Sequence, residues 1–525
     1  MEGPGLFDLQ PAAECRMLAN VLSSAFVGID GYVVEVEVDI ARGLPAFATV
    51  GLPEAAVKES KDRVKAAIKN AGYRFPGDRI TVNLAPADVK KEGSSFDLPI
   101  AVGILAAQGL VATARLGEYL VLGELSLDSR VKPIRGALPM ALTARSRGLR
   151  GLILPRENAT EAAVVRGVEV LGVRHLEEVV AFLNGEKAIG PEEVDLDALF
   201  RQGAAYEVDF RDVKGQQHVK RALEIAAAGG HNLIMVGPPG SGKTMLARRL
   251  PTILPGMTFE EAIETTKIYS VSGLLPEQRA LIATRPFRAP HHTISDAGLI
   301  GGGHVPKPGE VSLATHGVLF LDEFPEFRKN VLEVLRQPME DGQVTISRAA
   351  SSLTYPARFM LVAAMNPCPC GYYGDPKRPC SCTLPALLRY RSRVSGPLLD
   401  RIDLHVEVPA LGYQELVGDD AAEGSEEIRI RVDAARARQR ARFAKLQIHC
   451  NAQMSSRHIR RFCALDEASR KLMEMAVDRL GMSARGYSRI LKIARTIADM
   501  DGVADLRAHH ISEAIQYRSL DRQAL

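Results

Sequence analysis

The sequence has no apolar run near the roughly 18 residues needed to cross a bilayer, so no membrane span is expected. Its first residues, MEGPGLFDLQ, lack the basic start and apolar stretch of a secretory leader, and no signal peptide is expected. Cysteine is sparse, seven in 525 residues, and odd in number, which argues against a disulfide scaffold. Together these absences predict a cytoplasmic protein. Internal repeats and low-complexity tracts are also missing. Neither sign of charge is in marked excess: the net charge of +3 does not by itself indicate a nucleic-acid partner.

What is present is an ordinary globular composition, 46% hydrophobic and 25% charged, in a chain long enough for two to four domains. The charge is unevenly placed. Ser425–Leu525 carries 20 Lys+Arg against 12 Asp+Glu, a local +8 that leaves −5 for the rest. A basic C-terminal section permits a polyanionic partner, or simply a solvated helical surface.

Patterning predicts a multidomain α/β protein. Residues 1–185 mix β-rich runs (YVVEVEVDI, RITVNLAP, GLILP) with helical ones (SKDRVKAAIKNAG, DLPIAVGILAAQG). Residues 186–212 read as a linker, 213–410 as an α/β core, 411–425 as a second linker, and 426–525 as an all-helical lid.

The most specific motif is HNLIMVGPPGSGKTMLARRL. An apolar strand runs into Gly237, Pro238, Pro239, Gly240, Ser241, Gly242, Lys243 and Thr244, then a helix. Glycines let backbone N–H groups wrap phosphates at a helix N-terminus, Lys243 reaches the β/γ-phosphates of ATP, and the Thr244 hydroxyl ligates Mg²⁺. The run GVLFLDEF delivers Asp322 for the Mg²⁺ and Glu323 to polarise the attacking water. Two adjacent carboxylates ending a strand can also be a simple turn, a reading that the P-loop beside them disfavours. Asn366 ends the next apolar strand, where it can orient the same water or serve as a turn residue.

P-loop, paired carboxylates, a polar strand end and a helical lid describe the AAA+ class. Three longer stretches resemble the ComM/YifB family of magnesium-chelatase-like AAA+ ATPases: RPFRAPHHTISDAGLIGGGHVPKPGEVSLATHGVLFLDEFPEF, ISRAASSLTYPARFMLVAAMNPCPCG and SARGYSRILKIARTIADM. The resemblance covers nearly the whole chain. It implies a hexameric ATPase ring that drives DNA branch migration, a helicase activity of recombination in natural transformation. The alternative is a chelatase-type or protein-remodelling ATPase acting on a partner protein. In SGPLLDRIDLHVEVP, Arg401 corresponds to the finger that such motors extend into a neighbour's site; locally it can also pair with Asp400 or Asp403. Arg485 corresponds to the lid's second sensor.

The same resemblance implies an insert in helix 2, within about 270–310, and a hairpin before the sensor strand, GQVTISRAASSLTYPA. Lys307 and Arg348 on these are candidate DNA-phosphate contacts, or plain surface charges. His291 and His292 lack a third metal ligand, and a structural role is expected of them. The stretch DVKKEGSSFDLPIAVGILAAQG, with VLGELSLDSRVKPIRGALPMALTARSRGLRGLILPREN, resembles the Lon-protease (S5-type) domain. Ser95 falls at the nucleophile position, but the lysine position holds Leu138, so the hydroxyl lacks a base and proteolysis is not expected.

Four of the seven cysteines crowd into NPCPCGYYGDPKRPCSC: Cys368, Cys370, Cys380 and Cys382. Four thiolates suit a tetrahedral structural Zn²⁺. Free thiols and disulfides are the other readings of the pattern.

Overall fold

The structure, a computed structural model, describes residues 17–53, 57, 59–91, 93–203, 206–276, 279–303, 306–348, 351–412, 422–446, 448–480 and 482–518. They divide into two compact units. One runs to Asp197 and includes Tyr269–Leu281; the other comprises Ala198–Ile268 and the chain from Ile282 onward. No helix among the described residues is long and apolar enough to cross a membrane.

The first unit is mixed α/β. Strands β1 (Met17–Val27), β2 (Asp30–Ala41), β3 (Ala46–Val50) and β4 (Arg79–Ala85) form one sheet in the order β1-β2-β4-β3. In β2 the alternation dictates the faces: Val34, Val36, Val38 and Ile40 are buried, with acidic residues between them. Three short parallel strands, β5 (Tyr119–Val121), β6 (Gly151–Pro155) and β7 (Glu169–Val173), make a second sheet. Helices α1 (Ser60–Asn70), α2 (Asp97–Ala107) and α3 (Ala137–Ser146) pack with them. Every residue of α2 is buried, as its unbroken apolar run requires.

The second unit is built on five parallel strands: β8 (Leu233–Val236), β9 (Phe287–Arg288), β12 (Val318–Leu321), β15 (Met360–Met365) and β16 (Leu404–Glu407). Their order is β9-β12-β15-β8-β16. Strands β8, β12 and β15 are continuous apolar runs because a central parallel strand is covered on both faces. All three end on the same edge, which brings the loops after Val236, Leu321 and Met365 side by side.

Two hairpins interrupt this core. β10 (Gly301–Gly302) pairs with β11 (Lys307–Pro308), and β13 (Gln343–Arg348) pairs with β14 (Ser351–Pro356). They pack on each other: the Tyr355 hydroxyl donates to Pro306 O at 2.7 Å. Helix α4 (Gln217–Gly229) precedes β8, α5 (Lys243–Ile253) follows it, and α6 (Arg336–Asp341) leads into β13. Beyond the strands come helices, including α7 (Ser425–Phe443) and α8 (Ala484–Met500). In α8, Ile490, Leu491, Ile493, Ala494, Ile497 and Ala498 are buried against the core, the stripe that 3.6-residue periodicity demands.

The stretch expected as a linker, 186–212, is partly ordered structure. It holds a helix, Leu196–Gly203, and a turn, Phe210–Asp212, capped by Asp209. Phe210 is fully buried and its N–H donates to Ser425 Oγ at 2.9 Å, which ties this turn to the start of α7. Of the second expected linker, residues 413–421 lie outside the described ones.

Candidate nucleotide-binding site

The loop from β8 to α5 is shaped by its glycines. A Cβ on Gly237 would stand 2.1 Å from Val408 O, and Gly242 has φ +88°, a left-handed conformation that turns the chain into α5. Lys243 is 8% exposed. Its ammonium donates to Gly237 O at 2.7 Å, Pro238 O at 2.9 Å and Asn366 Oδ1 at 3.3 Å. Burial lowers its pKa, opposed by the Asp322 carboxylate. The charge is thus held by the rim of the loop and by the residue that follows β15.

Thr244 Oγ1 donates to Asp322 Oδ2 at 2.6 Å, so the hydroxyl and carboxylate expected at Mg²⁺ converge. This oxygen pair fits a hard divalent cation. Asp322 Oδ1 accepts from the Glu323 N–H at 2.9 Å. Glu323 has φ +52°, unusual for a residue with a side chain, and such strain clusters at functional sites. A cleft of about 280 Å³ opens beside them, lined by Thr244, Arg248, His291, His292, Asp322 and Glu323.

Three of those residues, Arg248, His291 and His292, are not assigned to this site by the sequence patterns. His292 Nδ1 lies 3.1 Å from Glu323 Oε2, so it addresses that carboxylate. Arg248 stands one helical turn after Thr244 on the same face of α5. The i, i+4 spacing carried that signal.

Arg401 stands elsewhere. Register pairs Leu233 with Leu404 in parallel, so Arg401 precedes the strands at the edge opposite the loop that follows Val236. At 3.3 Å rise per residue, the width of the sheet alone puts more than about 10 Å between this arginine and the P-loop of its own chain. Its local partner is neither Asp400 nor Asp403. Arg401 pairs with Glu340, while Asp403 is taken by Arg489 and by His231 at 3.3 Å. Arg485 is exposed in the first turn of α8, one turn before Arg489.

The four cysteines cluster as their spacing predicts. Cys368 Sγ lies 3.3 Å from Cys370 Sγ and 3.7 Å from Cys380 Sγ; Cys370 and Cys380 are 3.5 Å apart. All four sulfurs fall within 4.8 Å of one another. These separations exceed a disulfide's ~2.05 Å S–S bond, and the cysteines are free. Backbone N–H groups of Tyr372 and Ser381 hold the Cys370 thiol down to about 5.

Lys307 is exposed on β11, and Arg348 is the last residue of β13, next to the tip; its side chain lies outside the described ones. In the first unit, Ser95 is 8% exposed and Leu138 is fully buried, its N–H donating to Glu161 Oε1 at 2.9 Å.

Three family models match. "Magnesium chelatase, subunit ChlI" matches residues 209–416, "Subunit ChlI of Mg-chelatase" 36–158, and "Magnesium chelatase, subunit ChlI C-terminal" 422–518. The chain is 46% identical to competence protein ComM of Haemophilus influenzae and 45% identical to uncharacterized protein YifB of Escherichia coli. Each alignment covers 96% of this chain and 98% of the relative. The chain belongs to the ComM/YifB family of magnesium-chelatase-like proteins. A Lon protease of Acinetobacter baumannii is 24% identical over 190 residues, 34% of this chain and 23% of that protein. ComM/YifB membership accords with an AAA+ ATPase that uses ATP and Mg²⁺. It accords equally with a multidomain α/β architecture.

Proposed function

We propose that this ComM/YifB protein is an ATP-driven DNA motor. A ring of identical subunits, six by resemblance, moves branched DNA by branch migration during recombination in natural transformation. The observation that carries the ring is the placement of Arg401 and the P-loop at opposite edges of one parallel sheet. Arg401 lies away from the P-loop of its own chain, so the nucleotide it acts on in this reading is that of a second copy. An arginine finger accelerates hydrolysis by about 10³–10⁵.

In this reading the P-loop and Lys243 hold the phosphates of ATP, and Thr244 and Asp322 hold Mg²⁺, which neutralises charge on the phosphates. Glu323 takes the proton of the attacking water, Asn366 orients that water, Arg401 reaches the nucleotide of the adjacent subunit, and Arg485 serves as the lid's second sensor. Zn²⁺ at the four cysteines is the third cofactor.

The DNA assignment is supported by the competence protein at 46% identity and by the packed hairpins, which bring Lys307 and the Arg348 position onto adjoining elements. Branch migration, in place of simple binding, is the resemblance's implication. The test is ATP hydrolysis with and without a synthetic four-way junction at low salt. Stimulation by the junction supports the motor. A rate indifferent to DNA, with no DNA bound, points to remodelling of a partner protein instead.

A further inference from the structure

The loop between Cys368 and Cys382 leaves β15 directly after Asn366, and it turns back onto the P-loop. Gly371 makes the contact. Its φ is +88°, and a Cβ there would stand 2.5 Å from Pro239 Cδ and 2.8 Å from Pro239 Cγ. Only a glycine satisfies both the left-handed backbone and the close approach. Gly371 directly follows Cys370, and its N–H donates to Cys368 O at 3.0 Å. The residue against the P-loop is therefore bracketed by two members of the sulfur cluster.

The four sulfurs lie within 4.8 Å of one another, close enough to share one ion. A Zn–S bond of about 2.3 Å requires tetrahedral S···S edges of about 3.8 Å. Among Cys368, Cys370 and Cys380 the pairs lie at 3.3, 3.5 and 3.7 Å. The sulfurs also receive backbone N–H groups: Tyr373 donates to Cys368 at 3.3 Å and Cys382 to Cys380 at 3.4 Å. Such donors orient thiolates and stabilise their charge. The remainder of the loop, from Tyr372 to Pro379, has no strand or helix of its own.

We infer that a Zn²⁺ ion held by Cys368, Cys370, Cys380 and Cys382 fixes Gly371 against Pro239, so that metal occupancy sets the shape of the P-loop and hence the affinity for ATP. The inference rests on the nucleotide-binding reading of that loop and adds a metal dependence to it. Without the ion, the bend at Gly371 is left to local hydrogen bonds such as Gly371 N–H to Cys368 O and Asp375 N–H to Tyr372 O. ATP then meets a P-loop that must be ordered on binding, and affinity falls.

Two variants of the full chain test this, each read by zinc content and by titration with a fluorescent, slowly hydrolysed ATP analogue plus Mg²⁺. Cys380→Ser loses zinc and binds the analogue about tenfold more weakly. Gly371→Val keeps the four thiolates and the zinc, but its side chain meets Pro239, and it loses a similar factor. Thermal unfolding of each variant identifies global loss of structure. Zinc-free wild-type protein purified without chelator overturns the metal assignment. Zinc lost from Cys380→Ser with analogue binding intact, or full binding by Gly371→Val, overturns the coupling. Wild-type protein that holds zinc but binds no analogue overturns the nucleotide reading itself.

Discussion

Arg401 and Glu340 form an ion pair that folds the Arg401 guanidinium onto its own subunit. The arginine side chain is 8% exposed and the glutamate 55%. Arg401 Nη1 also donates to Pro397 O at 2.7 Å. Glu340 sits on α6, and Gly342 links that helix to β13. The pair therefore ties the arginine proposed to act on a neighbour's nucleotide to the base of a hairpin proposed to touch DNA. Glu340→Gln is expected to raise DNA-free ATP hydrolysis about fivefold by freeing the arginine. The double variant with Arg401→Ala should hydrolyse no faster than Arg401→Ala alone. A lower rate in Glu340→Gln would mean that the pair supports the arginine and does not restrain it.

Lys243 and Glu323 are expected to separate binding from chemistry. Lys243→Ala removes charge-assisted hydrogen bonds worth about 1.5–3 kcal/mol each and should weaken ATP binding by at least about tenfold. Glu323→Gln should leave binding intact and cut the turnover rate by about 10²–10⁴, the usual contribution of a general base. Equilibrium titration beside steady-state kinetics distinguishes the two effects.

The local parts of this site were legible because their chemistry is written in consecutive residues. The P-loop needs its glycines, lysine and threonine at fixed spacing. Paired C-x-C motifs likewise announce four sulfurs. Contacts between distant segments were not legible. Glu340 and Arg401 are separated by a hairpin, a strand and the cysteine loop. His292 reaches Glu323 only because β9 and β12 are neighbours in the sheet. Gly371 against Pro239 depends in the same way on β15 lying beside β8. The ordered turn at Phe210 escaped notice because its polar neighbours, Asp209 and Asp212, read as linker while its one aromatic ring is core.

In the first unit, Arg63 and Asp97 are a bidentate pair at 2.7 and 3.1 Å, with Asp97 fully buried. Burial raises the Asp97 pKa to about 6 even though Arg63 opposes it. Arg63→Ala leaves that carboxylate without its partner and should cost about 3 kcal/mol. The sign with pH follows. The folded value lies above the unfolded one near 3.9, so the folded state takes up the proton first and neutral Asp97 tolerates its surroundings. Removing Arg63 raises the folded value further, so the penalty is full only above the variant's own value and is lost as pH falls from there to about 6. Melting temperatures of variant and wild type, compared between pH 8 and pH 5, measure it.

Ser95 is expected to have no proteolytic role, because Leu138 stands where the resemblance requires a lysine and is itself buried. Incubation with casein and ATP should give no fragments from wild type or from Ser95→Ala. Degradation by wild type that disappears in the variant would show that another base serves Ser95.

The central claim is that ATP hydrolysis at the P-loop moves branched DNA. Its most direct test is conversion of a labelled synthetic four-way junction to duplex products by wild-type protein with ATP and Mg²⁺, beside Lys243→Ala. The account predicts conversion by wild type that needs hydrolysable ATP and is absent in the variant. Junctions left intact by wild type under conditions where it hydrolyses ATP, or moved equally well by Lys243→Ala, would contradict it.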